Sequence, residues 1–225
     1  SFYTADELAN RLIDLQSQQC HNINLVTGTH FLPWILRAVK TASEQGLTLP
    51  LVYNCGGYEN SEVIKQLEGI IDIYLPDMKY GNDQYASLYS NAPDYSSFNQ
   101  QAVREMFRQT GPLQSDSSGI AKRGMILRHL VLPENIQTSK EIINFLTAHF
   151  DPEDITISLM AQYRPLFNAS KYPEINRGIT SDEYHETKEL FSNSGFHIFF
   201  QEYREMNENF IIDFKTRKTQ PLKEP

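Results

Sequence analysis

The chain has 225 residues, 40% of them hydrophobic and 21% charged, with a formal net charge of -8. That length buries a sizeable core, that composition excludes a disordered chain, and the acidic balance argues against a broad nucleic-acid footprint. No apolar run is long enough to span a membrane, and the two cysteines, Cys20 and Cys55, cannot by themselves hold an iron–sulfur cluster or a structural zinc. A reducing, cytoplasmic setting is the expectation.

In chain order, Thr4-Ala5-Asp6-Glu7 has the spacing of a capping box and opens a helix to about Gln19, with Leu8, Leu12 and Leu15 as its apolar stripe. Ile23–Val26 is a short predicted strand ending in the loop Thr27-Gly28-Thr29-His30. Pro33 suits the first turn of a helix running to Glu44. Leu51–Asn54 is the next strand, with Gly56-Gly57 as its exit, and a helix follows over Ser61–Leu67. Gly69–Pro76 reads as an apolar strand containing Asp72 and ending at Asp77-Met78-Lys79. The stretch through Asp83 and Ser90 to Ser97 is either a partial lid or a surface excursion. A helix over Gln100–Gln109 leads to a Gly/Ser/Pro-rich segment, Gly111–Gly119. Met125–Val131 is a strong strand, Ile136–Phe150 a helix, Ile155–Met160 a strand, Ser181–Phe191 a helix and Phe196–Phe200 the last strand.

Strands alternating with helices predict a parallel sheet, because parallel connections need crossovers. Periodicity alone leaves an open doubly wound sheet and a curved or closed one both standing, with the barrel-like form favoured. The first element is a helix with no strand before it, the pattern of a β/α barrel without its opening βα unit. A barrel core over 1–206 and an extension over 207–225 are expected. No glycine-rich dinucleotide fingerprint or phosphate loop is present.

Ligands in such folds bind beyond the C-terminal ends of the strands, and several residues there bear chemistry. Thr27, Gly28, Thr29 and His30 offer hydroxyls, an imidazole and close backbone approach, or else form a turn with a helix cap. Asn54 is either a ligand amide or a turn amide. Cys55 suits an apolar filler better than a nucleophile. Asp77 and Lys79 form the sharpest ionisable pair: an ion pair, an anion site or, for a desolvated lysine, an amine nucleophile. Arg128 and His129 interrupt an apolar strand and must face opposite ways; Arg128 is favoured as the cavity residue because a buried arginine needs a carboxylate. Gln162 and Arg164 either recognise substrate or cap the rim.

Four segments carry a resemblance: Gln19–His30, Leu51–Glu59, Asp72–Tyr80 and Arg128–Pro133. In this order they resemble radical S-adenosylmethionine proteins related to the pyruvate formate-lyase activating enzyme. The resemblance implies an incomplete parallel β/α barrel lacking its first βα unit, with an S-adenosylmethionine site at its C-terminal face. It further implies a [4Fe–4S] cluster held by a Cys-x-x-x-Cys-x-x-Cys loop, reductive cleavage of the sulfonium to a 5′-deoxyadenosyl radical, and hydrogen abstraction from substrate, an oxidoreductase chemistry in which the cofactors carry the hard step. This chain has no such loop. It is therefore expected to be the core of a longer parent, with no metal ligands of its own and no cluster in this piece. By resemblance, Thr27, Gly28 and Thr29 occupy the place of a cofactor-amine motif, Arg128 is similar to an arginine near the cofactor carboxylate, and Asn54, Asp77 and Lys79 are rim residues. The parent's partners would be an external electron donor and an unknown substrate, in the activating-enzyme branch a protein. Two other readings are a Lys79-dependent barrel lyase or aldolase, with Asp77, His30 and Arg128 as proton-transfer and anion groups, and a noncatalytic protein-binding scaffold.

Overall fold

In the computed structural model, which describes residues 3–203, six parallel strands lie side by side in the order in which they occur in the chain. Helix α1 (Ala5–Ser17) opens the chain through the expected capping box: Glu7 N–H donates to Thr4 Oγ1 at 3.2 Å, and Thr4 N–H donates to the Glu7 carboxylate at 2.8 Å. Strand β1 (Ile23–Val26) leads through a short 3-10 turn into α2 (Leu32–Glu44), with Pro33 in its first turn. Then come β2 (Leu51–Cys55), the one-turn α3 (Ser61–Lys65) and β3 (Ile73–Pro76).

Three sequence expectations change in this region. The strand predicted from Gly69 begins only at Ile73. Asp72 lies just before it, and its carboxylate accepts the Leu51 N–H at 2.8 Å, so it closes the start of the neighbouring strand. The 80–97 stretch is not an irregular loop: it holds α4 (Asp83–Ser90), capped by Asn82 and packed through Ala86 against Tyr80 and Leu132 past the strand ends, and the first residues of α5 (Tyr95–Thr110), which starts five residues before the predicted Gln100. The Gly/Ser/Pro segment contains β4 (Gln114–Ser115), which pairs antiparallel with an early extension of β5 (Ala121–Leu130). After that the chain follows expectation: α6 (Ile136–His149), β6 (Thr156–Met160), α7 (Ser181–Ser192) and β7 (His197–Phe200), with two 3-10 turns between β6 and α7. The extension expected over 207–225 lies outside the described residues.

The strand order β1-β2-β3-β5-β6-β7 decides between the two sheet forms. A doubly wound sheet reverses direction from its first strand and carries helices on both faces. Here the order never reverses, and α2, α5, α6 and α7 contact one face: Ile35 on α2 approaches Gly28, Tyr74 reaches Gln109 on α5, and His129 reaches Ser139 on α6 and Phe191 on α7, while α4 packs at the strand ends in a cluster that Leu130 joins. That is the winding of a β/α barrel in which the described strands form the preserved arc.

Alternation along each strand divides the sheet into two environments. The helix-covered face carries Leu51, Tyr53, Cys55, Tyr74, Met125, Leu127, Ile157 and Leu159, all buried in one core. The other face is buried at its deep end by Val52, Ile73 and Thr156. Toward the C-terminal strand ends it stays half-buried, at Asn54, Leu75, Arg128, Leu130, Ser158 and Met160. Val26 on the β1 edge and Phe199 on the β7 edge, 65% and 58% exposed, mark where this face opens. No helix among the described residues is long and apolar enough to cross a membrane.

Candidate functional site at the strand ends

Asp77 sits one residue past β3 and bridges to Arg128 on β5, so both side chains lie on the open face. Met78 N–H donates to the Arg128 carbonyl at 2.8 Å, carrying the pairing past the strand end. Asp77 is 8% exposed and stands between two cations. Lys79 Nζ donates to Oδ2. Arg128 Nη2 lies 2.6 Å from Oδ1, off the hydrogen-bond direction, so the contact is one of charge. Arg128 Nε is buried without a hydrogen-bond partner. A carboxylate held by two cations leaves one positive charge over, and an orphan guanidinium donor beside it, the inventory an anionic ligand would complete.

The opposite orientations of Arg128 and His129 fall as alternation requires, with the arginine on the open face. His129 faces the helices and is 1% exposed. Its Nδ1–H donates to the Met78 carbonyl at 2.8 Å, which leaves Nε2 to accept from the Ser139 hydroxyl, also at 2.8 Å. Desolvation pushes its pKa down to about 4, so it is a neutral strut beneath the Asp77–Lys79 loop.

The loop after β1 is organised differently. Thr27 has a left-handed backbone (φ 53°) and donates its N–H to the Asn54 carbonyl at 2.9 Å. Gly28 packs against Ile35, where a β-carbon would sit 3.0 Å from the Ile35 Cδ1. Thr29 turns toward the helix layer. Its hydroxyl accepts from Tyr53 OH at 2.6 Å and donates to the Glu59 carboxylate, at 3.0 Å from either oxygen. Glu59 is 8% exposed, and burial pushes its pKa above the usual carboxylate range, opposed by the Thr29 hydrogen bond and by the charge of His30. Cys55 is buried, and desolvation with Glu59 nearby raises its thiol to about 12, which suits a packing residue and not a nucleophile.

The register therefore gathers some of the sequence candidates and separates others. Asn54 lies on the open face beside Leu75, one pleat short of the Asp77–Arg128 row, and Asp77, Lys79 and Arg128 are in direct contact. Gln162 and Arg164 follow β6 at the same end, the former exposed and the latter half-buried. Thr29 points to the far side of the sheet, and His30 stands near Glu59. Sequence reasoning did not single out Glu59. The signal available was a carboxylate two residues after Gly57 in a loop too short to keep it in solvent.

No family model matches the chain. An uncharacterized protein of Methanocaldococcus jannaschii is 30% identical over 189 residues, covering 84% of this chain and 51% of that one, so the chain spans about half the length of the curated relative it matches. Among solved structures, a domain of pyruvate-formate lyase-activating enzyme from Bacteroides vulgatus matches with a TM-score of 0.56 at 12% identity, over 81% of this chain and 100% of that one. A radical SAM methyltransferase from Sphaerobacter thermophilus matches with a TM-score of 0.59 at 13% identity, over 88% of this chain and 57% of that one. Identities this low speak to architecture alone, and at that level the partial parallel barrel and the helices that cover it give this chain the fold of the radical S-adenosylmethionine proteins.

Proposed function

We propose that this chain forms the S-adenosylmethionine-binding and substrate-facing part of a radical S-adenosylmethionine enzyme. The observation that carries the reading is the Asp77–Lys79–Arg128 constellation at the open strand ends, with its buried, unpartnered Arg128 Nε. The amino-acid end of the cofactor brings a carboxylate, and the half-buried guanidinium of Arg128 with the Lys79 ammonium would receive it. Asp77 keeps the two cations apart and oriented, and Asn54 offers an amide to a hydroxyl or amine on the same face.

The residues present do not fit a [4Fe–4S] cluster. The sequence holds two cysteines. Cys20 sits half-buried where α1 meets β1, and Cys55 is a buried thiol. Among the described residues no group of three His, Cys, Asp or Glu side chains is placed to hold a metal ion. Cluster ligands would therefore come from residues outside these 225, and no step through a cluster is assigned to this chain. The substrate, a protein in the activating-enzyme branch, and an external electron donor belong to the same proposal. No observation favours Lys79 as an amine nucleophile: one Nζ donor goes to Asp77, and the other two are free to hydrogen-bond a ligand carboxylate. No geometry favours the scaffold reading.

Calorimetric titration of the chain with S-adenosylmethionine tests the proposal. Saturable binding is expected, with a loss of about tenfold or more in Arg128→Ala, the scale of one charge-assisted hydrogen bond. Absence of binding at a ligand concentration of about 1 mM, the edge of measurable affinity, overturns it.

A further inference from the structure

The charged rim is gripped from the helix layer. Tyr95 and Asn99 are one turn apart on α5 and project toward the same place. Asn99 is fully buried. Its amide nitrogen donates to two carbonyls from two different loops, Gly57 after β2 at 3.0 Å and Asp77 after β3 at 2.8 Å. The reverse amide orientation would set oxygen against oxygen twice, so the chemistry assigns nitrogen to this side. The amide oxygen is left buried without a partner. Tyr95, also buried, accepts the Lys79 N–H at 3.0 Å and donates its hydroxyl to the Asp77 carbonyl at 3.3 Å. Gly57 completes the arrangement: its φ is +76°, and a β-carbon there would overlap both the Asp77 carbonyl and the Asn99 amide.

The Asp77 carbonyl thus takes two donors from α5 while its carboxylate takes Lys79 and Arg128. Core packing does not require this grip, since Ala102, Val103 and Met106 already bury α5 against the sheet. A fully buried amide with an orphan oxygen is a cost that apolar packing would avoid. It falls where the backbone direction of Asp77-Met78-Lys79 decides where two charges point.

We propose that Asn99 and Tyr95 are positioning residues that set the spacing of the Lys79–Arg128 cation pair by holding the Asp77 carbonyl. The inference rests on reading that pair as a ligand site, and the test keeps the two apart. Its first readout is acetylation of Lys79 by acetic anhydride in the whole chain, followed by mass spectrometry and normalised to the exposed Lys65. Asn99→Leu and Tyr95→Phe are expected to raise Lys79 labelling by about threefold or more, as a loosened loop frees its amine, with Lys65 labelling and circular dichroism unchanged. The second readout is titration with S-adenosylmethionine. Asn99→Leu should weaken binding by about fivefold in the native background and have no further effect in Arg128→Ala, the non-additivity expected of residues acting as one unit. Native labelling rates in both variants overturn the proposal, and so do additive losses in the double variant. If Asn99→Leu fails to fold, Tyr95→Phe, which deletes one oxygen, carries the test. If the native chain does not bind S-adenosylmethionine, the ligand reading has failed, and Lys79 labelling alone decides the positioning role.

Discussion

The two polar clusters at the strand ends look alike in the sequence and are opposites in the fold. The Thr29–Tyr53–Glu59 cluster turns into the helix layer, carries one buried carboxylate and is joined by hydroxyls. The Asp77–Lys79–Arg128 cluster turns to the open face, carries an excess of positive charge and is joined by ion pairs. A single step of the pleat separates them: Tyr53 and Tyr74 face the helices, while Asn54, Asp77 and Arg128 face away. A buried carboxylate served only by a hydroxyl is tolerated as part of the scaffold. A carboxylate between two half-exposed cations leaves charge for a ligand. Facing, more than residue type, separates a strut from a candidate site.

The largest expected effect comes from breaking the support of the second cluster. Gly57→Ala places a β-carbon into the Asp77 carbonyl at a left-handed backbone position and should cost on the order of 3 kcal/mol, from backbone strain plus forced displacement. Urea denaturation reads it; a loss below about 1 kcal/mol, the cost of a relaxed left-handed site, would mean that the two loops are not held in close contact.

His129 gives the next effect, as a dependence on pH. Its folded pKa, about 4, lies below the ordinary histidine value, so the folded state binds the proton less readily than the unfolded chain. Its contribution is fully present above pH ~6.5 and is lost as the pH falls toward 4, by on the order of 3 kcal/mol at the lower end. Urea midpoints from pH 7 to 4.5 should fall in the native chain and fall less in His129→Gln. Equal slopes would remove His129 as the neutral strut beneath Met78.

The smallest effects probe the first cluster and carry the opposite sign. The Glu59 pKa is raised, so its protonated form favours folding: that contribution is present below the unfolded carboxylate value and is lost as the pH rises through the folded one. Glu59→Gln should therefore be neutral or stabilising at pH 7, within about 1 kcal/mol. Thr29→Val, which strips the carboxylate of its donor, should cost about 1–2 kcal/mol. Denaturation of both variants at pH 7 checks the pair. A Glu59→Gln loss larger than that of Thr29→Val would make the ionised carboxylate a working group and bring the two clusters closer in kind.

Much of the molecule was legible in the chain. Short apolar runs ending in polar residues located β1, β2 and β6, and the Thr4–Glu7 spacing located the start of α1, because these signals are local. The same reading lengthened β3 to Gly69, where apolar residues form a turn before the strand, and it started α5 late, since Ser96, Ser97 and Asn99 are weak helix formers that read as loop although Tyr95, Phe98 and Ala102 keep helical spacing. The ordered segments pointed to the radical S-adenosylmethionine fold that the structural matches share. The sequence by itself thus determined the alternation of strand and helix, the polar residues at each strand end and the presence of only two cysteines. Tertiary structure chose the one-way winding between the two sheet forms left open, put Arg128 and not His129 on the open face as the sequence favoured, and alone revealed that an asparagine on α5 holds the Asp77 carbonyl. The reason is physical: element type follows from local dihedral and burial preferences, whereas facing and cross-strand contact depend on register between segments far apart in the chain.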